Sequence, residues 1–222
     1  MANLAKFIEN VQKGVLSDRA PIEEMDDLNE ISSFDSLHSI RSRSECTKRG
    51  MWAVIDKQWT KKLAKWINGR TCLEVMAGAG WLAKALSYHK VDIIATDDYS
   101  WECRQHKAMI VVHSVEKIDG INAAEKYSDR DILIVSWPPH DEASIHHICK
   151  EWGNEKPIVF IGEGDGGCCA SDKFWEAFKE DDVQPSIEIP RWWGLHDRLI
   201  IGKYSNIEAG KVNNSMSQLE VV

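Results

Sequence analysis

The sequence lacks several features that mark particular classes of protein. No stretch approaches the ~18 consecutive apolar residues of a membrane-spanning helix, and the first residues lack the basic segment and apolar run of a secretion signal. The six cysteines show no C-x-x-C spacing and two are adjacent, so neither a zinc ribbon nor a disulfide framework is indicated. We therefore expect a soluble cytoplasmic protein with reduced thiols and no membrane partner.

Positive charge is also scarce. The 27 Lys and Arg residues are outnumbered by 35 Asp and Glu, which gives a formal net charge of −8. Nucleic-acid binding is therefore not favoured, because it depends on neutralising phosphates with basic side chains. His146 and Cys149 have a spacing that metal ligands use on a helix, but no second ligand pair accompanies them, so no metal site is predicted.

The chain length suits a single core with appendages, since 222 residues with 43% hydrophobic side chains fill one sizeable domain. We expect residues 1–45 to be an N-terminal extension, partly mobile or a lid, because residues 17–44 are mostly polar. Residues 46–205 should form the folded α/β domain, opening with an amphipathic helix whose apolar stripe runs from Trp52 to Trp66. Residues 206–222 read as a polar tail.

Within the domain, apolar runs of strand length alternate with helical stretches, as in βαβ units of a parallel sheet. The final two strands are too close in sequence for a crossover helix, so they should form an antiparallel pair. The predicted strands are 72–76, 92–96, 109–113, 131–137, 157–162, 186–189 and 198–204. The predicted helices between and after them are 82–89, 122–127, 141–152 and 171–179. The expected fold is a mostly parallel sheet with helices on both faces and an antiparallel C-terminal strand pair.

The first strand runs into a glycine-rich turn and then a helix. Gly78 and Gly80 leave the backbone bare for close approach by a ligand, and Asp97 follows the second strand, where a carboxylate can accept hydrogen bonds from ribose hydroxyls. The spacing from Gly78 to Ala83 also satisfies a dinucleotide fingerprint. Glu74 favours S-adenosylmethionine, whose ammonium and sulfonium a carboxylate attracts, over a pyrophosphate. Pairing of Glu74 with a nearby Lys or Arg is the structural alternative.

Segment 74–80 resembles motif I of the class I S-adenosylmethionine-dependent methyltransferases, and Thr96-Asp97-Asp98 resembles their acidic position after the second strand. The resemblance implies a Rossmann-like fold, transferase activity and S-adenosylmethionine as cofactor. In that family an acidic residue after the third strand contacts the adenine amino group; Asp119 is similar, with Glu116 as a rival. The implied cofactor-binding residues are Glu74, Met76, Gly78, Gly80, Asp97, Asp98 and Asp119.

The fourth strand ends in a double proline, which fixes the backbone and removes two N–H donors, leaving carbonyls available to a target amine. This segment is similar to motif IV of amino-group methyltransferases, with two departures. Trp137 precedes the prolines in place of a carboxylate or amide, and His140 replaces the usual aromatic residue. The residues implied to face the acceptor are Ser136, Trp137, Pro138 and His140. The candidate bases are His140, Asp141 and His196.

The glycine-rich loop after the fifth strand should border the acceptor pocket with Glu163 and Asp165. The predicted function is methyl transfer from S-adenosylmethionine to an unidentified acceptor, either a small molecule or a protein, possibly at an amino group. One alternative is an NAD-dependent oxidoreductase on a related fold, which predicts a uniformly parallel sheet edge. Another is a non-catalytic methyltransferase-like binding protein. The sequence leaves the oligomeric state open.

Overall fold

The computed structural model describes residues 2–25, 33–100, 110–140 and 144–205. The helices are α1 (Ala2–Gln12), α2 (Ile22–Met25), α3 (Ser33–Thr47), α4 (Lys57–Ile67), α5 (Trp81–Tyr88), α6 (Gly120–Lys126), α7 (Ser144–Trp152) and α8 (Asp172–Ala177). The strands are β1 (Cys72–Val75), β2 (Ile93–Asp97), β3 (Glu116–Lys117), β4 (Ile132–Ser136), β5 (Ile158–Gly162), β6 (Phe178–Glu180) and β7 (Arg198–Tyr204). None of the described helices is long and apolar enough to cross a membrane.

These strands form one sheet in the order β3-β2-β1-β4-β5-β7-β6. The first five strands pair in parallel, and β7 runs antiparallel to both β5 and β6. The sheet order and the reversed β7 confirm the predicted Rossmann-like class I methyltransferase fold. Because β1 and β4 are adjacent at the point where the strand order reverses, their C-terminal ends border the crevice in which open α/β sheets bind ligands.

Successive residues of the central strands point to opposite faces, and each face carries its own core. In β4, Ile132 and Ile134 pack into the cluster that includes α1, α4 and α5, whereas Leu133 and Val135 pack into the cluster that includes α6, α7 and α8. All four side chains are fully buried. A strand covered on both faces must be apolar throughout, which explains the continuous hydrophobic run in the sequence.

The described part of the N-terminal extension packs onto the domain. Leu4, Phe7 and Val11 of α1 are buried in the same cluster as α4 and α5. Asp56 caps α4 through one carboxylate oxygen, and its other oxygen accepts the N–H of Ala20 at 2.8 Å. The extension and the domain therefore share one core in this region. Residues 26–32 and the tail 206–222 lie outside the described residues, and the predicted lid role of the extension stays a prediction.

Two predicted strands are wrong. The third strand is Glu116–Lys117; of the predicted segment 109–113, Met109 lies outside the described residues and the remainder is not a strand. Of its apolar side chains, Val112 packs against the core that includes α1, α4 and α5, and its N–H donates to the carbonyl of Ala79, whereas Ile110 and Val111 are exposed.

The antiparallel partner of β7 is β6, not 186–189, which has no strand structure. The prolines at 185 and 190 flank that segment and remove ladder donors. The side-chain amide of Gln184 instead forms two hydrogen bonds with the backbone of Ile201: it donates to the carbonyl at 2.7 Å and accepts the N–H at 2.8 Å.

Candidate functional site

A cavity of about 360 Å³ lies at the C-terminal ends of β1, β2 and β4. Its wall contains Gly78 and Asp97, the two residues whose proximity the sequence interpretation requires. Most of the other predicted site residues also line it: Glu74, Met76, Asp98, Asp119, Ser136, Trp137 and Pro138. The volume falls within the range of sites that bind small molecules.

Asp97 organises the glycine turn. The backbone N–H of Gly78 donates to Oδ2 of Asp97 at 2.7 Å, and the N–H of Tyr99 donates to Oδ1 at 2.7 Å. Asp97 is almost completely buried, and it lines the cavity. Asp97 therefore links the turn after β1 to the turn after β2, in addition to presenting a charge to the cavity.

Gly80 has a different role from Gly78. It is not among the residues that line the cavity. It is the N-cap residue of α5, with a φ of 79°. A Cβ at this position would lie 2.9 Å from Cγ2 of Val115 and 3.0 Å from Cβ of His113. The left-handed backbone and the close packing both require glycine here, independently of any ligand.

Glu74 is the least expected ionisable group of the cavity, because it lies within β1 with only 2% of its surface exposed. Its Oε2 atom has no hydrogen-bond partner among the described residues. Burial raises the pKa of its carboxyl to about 8, with the neighbouring charge of Asp97 acting in the same direction. The alternative pairing with Lys or Arg is not observed among the described residues. Glu74 therefore brings one unsatisfied carboxyl oxygen to the cavity, while the backbone N–H of Ala83 acts on the carboxyl to lower its pKa.

The structure distinguishes Asp119 from Glu116. Asp119 lines the cavity and caps α6 by accepting the N–H groups of Ile121 and Asn122, which together hold the pKa of its carboxyl below the usual value. Glu116 is absent from the cavity wall; its carboxylate binds Lys126 and the Tyr127 hydroxyl instead.

Two non-glycine residues at the cavity have positive φ. Met76, directly after β1, has a φ of 55°, and Trp137, directly after β4, has a φ of 53°. Such conformations cost about 1 kcal/mol or more each and concentrate at functional sites, where the surrounding structure enforces them. Both neighbouring parallel strands thus end in a strained residue facing the same cavity.

The double-proline end is partly as predicted. Ser136, Trp137, Pro138 and Pro139 line the cavity, but His140 does not and is exposed. The carbonyl of Pro138 accepts the N–H of Ala170 at 3.2 Å, so it is not left wholly available to a substrate. The candidate base Asp141 lies outside the described residues.

Residues that precede α4 form a wall that the sequence interpretation missed. Met51, Trp52, Ala53 and Ile55 line the cavity, and Trp52 stacks on Trp137 with ring centroids 5.9 Å apart. The predicted helix stripe was wrong at its start, because α4 begins only at Lys57, after its Asp56 cap. The signal available in the sequence was Asp56 itself, a residue type favoured at helix N-caps.

The glycine-rich loop after β5 folds around Glu163. This carboxylate accepts the N–H groups of Cys168 and His196, each at 3.0 Å; burial acts to raise its pKa, but these hydrogen bonds outweigh burial and lower it. Cys168 lines the cavity, whereas Glu163 lies behind it, and Asp165 is exposed. Burial raises the pKa of the Cys168 thiol to about 11, so a thiolate nucleophile is not favoured there.

The charged side chains of the cavity all have one sign. Among the described residues that line it, the ionisable side chains apart from Cys168 are Glu74, Asp97, Asp98 and Asp119, with no Lys, Arg or His. The carboxylates of Asp97, Asp98 and Asp119, joined by Glu74 when it ionises, attract a cationic ligand and oppose a phosphate-bearing one.

No protein-family model matches this sequence, and no curated protein does. Among solved structures, the chain is similar to magnesium protoporphyrin IX methyltransferase from Synechocystis PCC 6803, with 11% identity and a TM-score of 0.41 over 81% of this chain and 94% of that one. It is also similar to precorrin-6y C5,15-methyltransferase from Geobacter metallireducens GS-15, with 11% identity and a TM-score of 0.40 over 69% of this chain and 91% of that one. At these values the likeness concerns the general fold and says nothing about the reaction.

Proposed function

We propose that this chain binds S-adenosylmethionine in the cavity and transfers its methyl group to an acceptor at the double-proline end. The observation that carries the proposal is the arrangement of four cavity carboxyls, with no basic side chain among the described lining residues, around the glycine turn. S-adenosylmethionine has a net positive charge, whereas the pyrophosphate of a dinucleotide would face the same carboxylates without a compensating cation. The antiparallel β7 also departs from the uniformly parallel edge expected of the oxidoreductase alternative.

The residues present suit the chemistry of this cofactor. Asp97 and Asp119 both line the cavity, which supports the ribose and adenine contacts that the resemblance implies for them. The unsatisfied Oε2 of buried Glu74 provides an acceptor for the ligand's ammonium group. When bound, the cofactor supplies a methyl group on a positively charged sulfur.

The protein's part in such a transfer is mainly to position the acceptor and exclude water. Ser136 and the aromatic pair of Trp52 and Trp137 border the acceptor end, where the described lining residues carry no charged side chain. We propose a small molecule or a protein side chain as acceptor, with an amino group as one candidate. An anionic acceptor such as nucleic acid is disfavoured by the acidic cavity.

Calorimetry tests the proposal directly. We expect S-adenosylmethionine and S-adenosylhomocysteine to bind with one site per chain, and NADH not to bind at millimolar concentration. Absence of binding by both adenosyl compounds would refute the proposal. Transfer is then assayed with a methyl-labelled cofactor against pools of amines, small aromatic compounds and basic proteins. Cofactor binding without any transfer across those pools would favour the non-catalytic binding protein.

A further inference from the structure

Behind Trp137 lies a cluster of polar groups that the cofactor site does not use. Asp197, in the loop before β7, is only 4% exposed, and its carboxylate oxygens have no well-formed hydrogen bond within the described part of the chain; the indole N–H of Trp137 lies close enough to lower its pKa. Nε of Arg43 is also buried without a hydrogen-bond partner there. Buried polar atoms without partners are costly, so their convergence calls for an explanation.

The Arg43 side chain already shows what this cluster attracts. Its guanidinium carbon lies 5.2 Å from the centroid of the Trp137 ring, within the range of a cation–π contact. Burial raises the pKa of Asp197 to about 7, while Trp137 and the charge of Arg43 act to lower it. Arg43 is therefore close enough for its charge to lower the pKa of the Asp197 carboxyl, although no ion pair joins the two groups.

A second carboxylate lies beside the first. Glu163 acts on Asp197 through its charge, and its own oxygens hold the backbone of Cys168 and His196. Cys168 lines the cavity and donates its N–H to Glu163, so Glu163 lies directly behind a residue of the cavity wall. A tryptophan face backed by two buried carboxyls binds a cation and offers little to a neutral or anionic group.

We propose that Trp137, Asp197 and Glu163 form a cation subsite next to the acceptor end, which binds the protonated amino or guanidino group of a substrate; in this structure the Arg43 guanidinium covers its tryptophan face. Arg43 comes from α3, at the C-terminal end of the N-terminal extension. A substrate cation would displace it, so the extension regulates access to the subsite. The substrate role rests on the proposed methyl transfer, whereas the capacity to bind a cation does not.

Removal of Arg43 should open the subsite to an added cation. We expect Arg43→Ala to bind methylguanidine at least ten-fold more tightly than the native chain does, as measured by calorimetry or by thermal shift. Methylurea, which has a similar shape without the charge, should not bind. Arg41→Ala is the matched control, because Arg41 is exposed on the same helix. The proposal is overturned if Arg43→Ala and Arg41→Ala bind methylguanidine equally.

The role of the Asp197 carboxylate is tested in the Arg43→Ala variant. Asp197→Asn added to Arg43→Ala should abolish methylguanidine binding, and retained binding would contradict the subsite. In Arg43→Ala alone, affinity should rise with pH through a midpoint above 7, because Asp197 then ionises without the cation that lowers its pKa. The other groups that face Asp197 are Glu163, Arg191 and the neutral Trp137. A pH-independent affinity of Arg43→Ala for methylguanidine would also contradict the subsite.

Binding of S-adenosylhomocysteine to the same variants separates this inference from the proposed function. Arg43→Ala should retain that binding, since Arg43 does not line the cofactor cavity. Methylguanidine binding without adenosyl binding would leave the subsite standing and remove the methyltransferase proposal. The reverse result would remove the subsite alone.

Discussion

The two ends of the cavity are built in different ways. At the cofactor end, Glu74, Gly78 and Asp97 belong to β1, β2 or the turn that follows, so their positions follow from the pairing of adjacent strands. The acceptor end combines Trp52 from before α4 and Trp137 after β4 with the loop that holds Glu163. The first end is acidic and fixed by backbone geometry; the second is aromatic and depends on how distant segments pack.

This difference separates two tasks of a group-transfer site. A site fixed by strand ends presents the same groups whatever the surrounding loops do, which suits a constant ligand. A site assembled from several segments can change with any of them, which suits a ligand particular to this chain. Substitutions at the cofactor end should therefore weaken adenosyl binding, and those at the acceptor end should leave it nearly unchanged.

The largest effect on adenosyl binding is expected from Asp97→Ala. The substitution removes a buried carboxylate that accepts the N–H groups of Gly78 and Tyr99. The glycine turn therefore loses a hydrogen-bond partner, and the cavity loses a negative charge. We expect loss of S-adenosylhomocysteine binding by about 100-fold or more and loss of about 1.5–3 kcal/mol of stability. Calorimetry and urea unfolding measure the two effects.

Asp98→Ala is the matched control for that experiment. Asp98 lines the same cavity but is exposed, and its carboxylate accepts the N–H of Ser100. Removal of the Asp98 carboxylate should change the affinity for S-adenosylhomocysteine by only a few-fold. Equal losses for the two variants would mean that general negative charge, rather than the link made by Asp97, governs binding.

The sequence predicted the cofactor end more completely than the acceptor end, for a physical reason. A strand, a glycine turn and an acid after the next strand are local patterns, and parallel pairing brings them together without further information. That is why the cavity contains Glu74, Gly78 and Asp97 as expected. The contact of Arg43 with Trp137 and the stacking of Trp52 depend on tertiary packing, which no short pattern records.

The misplaced strands have the same origin. In segment 110–113, Val112 packs against the N-terminal extension whereas Ile110 and Val111 are exposed, and a pattern of hydrophobicity does not show which side chains of a segment are buried. At the other edge, the side chain of Gln184 provides the hydrogen bonds that a strand would have made. Neither effect can be read from alternation alone.

A second prediction concerns the two glycines of the turn region. Gly80→Ala should destabilise the fold by about 2–4 kcal/mol, because it adds a crowded Cβ to a left-handed backbone. Gly69→Ala is the control, with a φ of 80° and nothing within 4 Å of the added Cβ. It should cost about 1–2 kcal/mol for the backbone alone. Equal unfolding midpoints in urea would contradict the packing role of Gly80.

A third prediction uses the raised pKa of Glu74. The folded chain keeps this proton up to about pH 8, whereas the unfolded chain releases it near the ordinary glutamate pKa of 4.5, so stability falls as pH rises across that window. Glu74→Gln removes this contribution, and its stability relative to the native chain should grow by up to about 1.4 kcal/mol per pH unit within the window. Urea unfolding at several pH values measures the difference.

The same residue should couple cofactor binding to proton release. A cation placed beside Glu74 favours its ionised form, so native affinity for S-adenosylmethionine should rise with pH up to about 8. Calorimetry in buffers of different ionisation enthalpy should detect the released proton. Glu74→Gln should bind about ten-fold more weakly at pH 8 and release none. A pH-independent native affinity would mean that Glu74 does not face the cation.

The smallest effect separates Asp119 from Glu116. Asparagine is as good an N-cap as aspartate, so Asp119→Asn keeps the start of α6 and removes only the charge. We expect a three- to ten-fold loss of S-adenosylhomocysteine affinity by calorimetry, because an amide oxygen accepts a hydrogen bond less strongly than a carboxylate does. Glu116→Gln should change it less than two-fold, since that side chain is exposed and pairs with Lys126 away from the cavity. A larger loss for Glu116→Gln would shift the adenine end of the site towards β3 and away from the cap of α6.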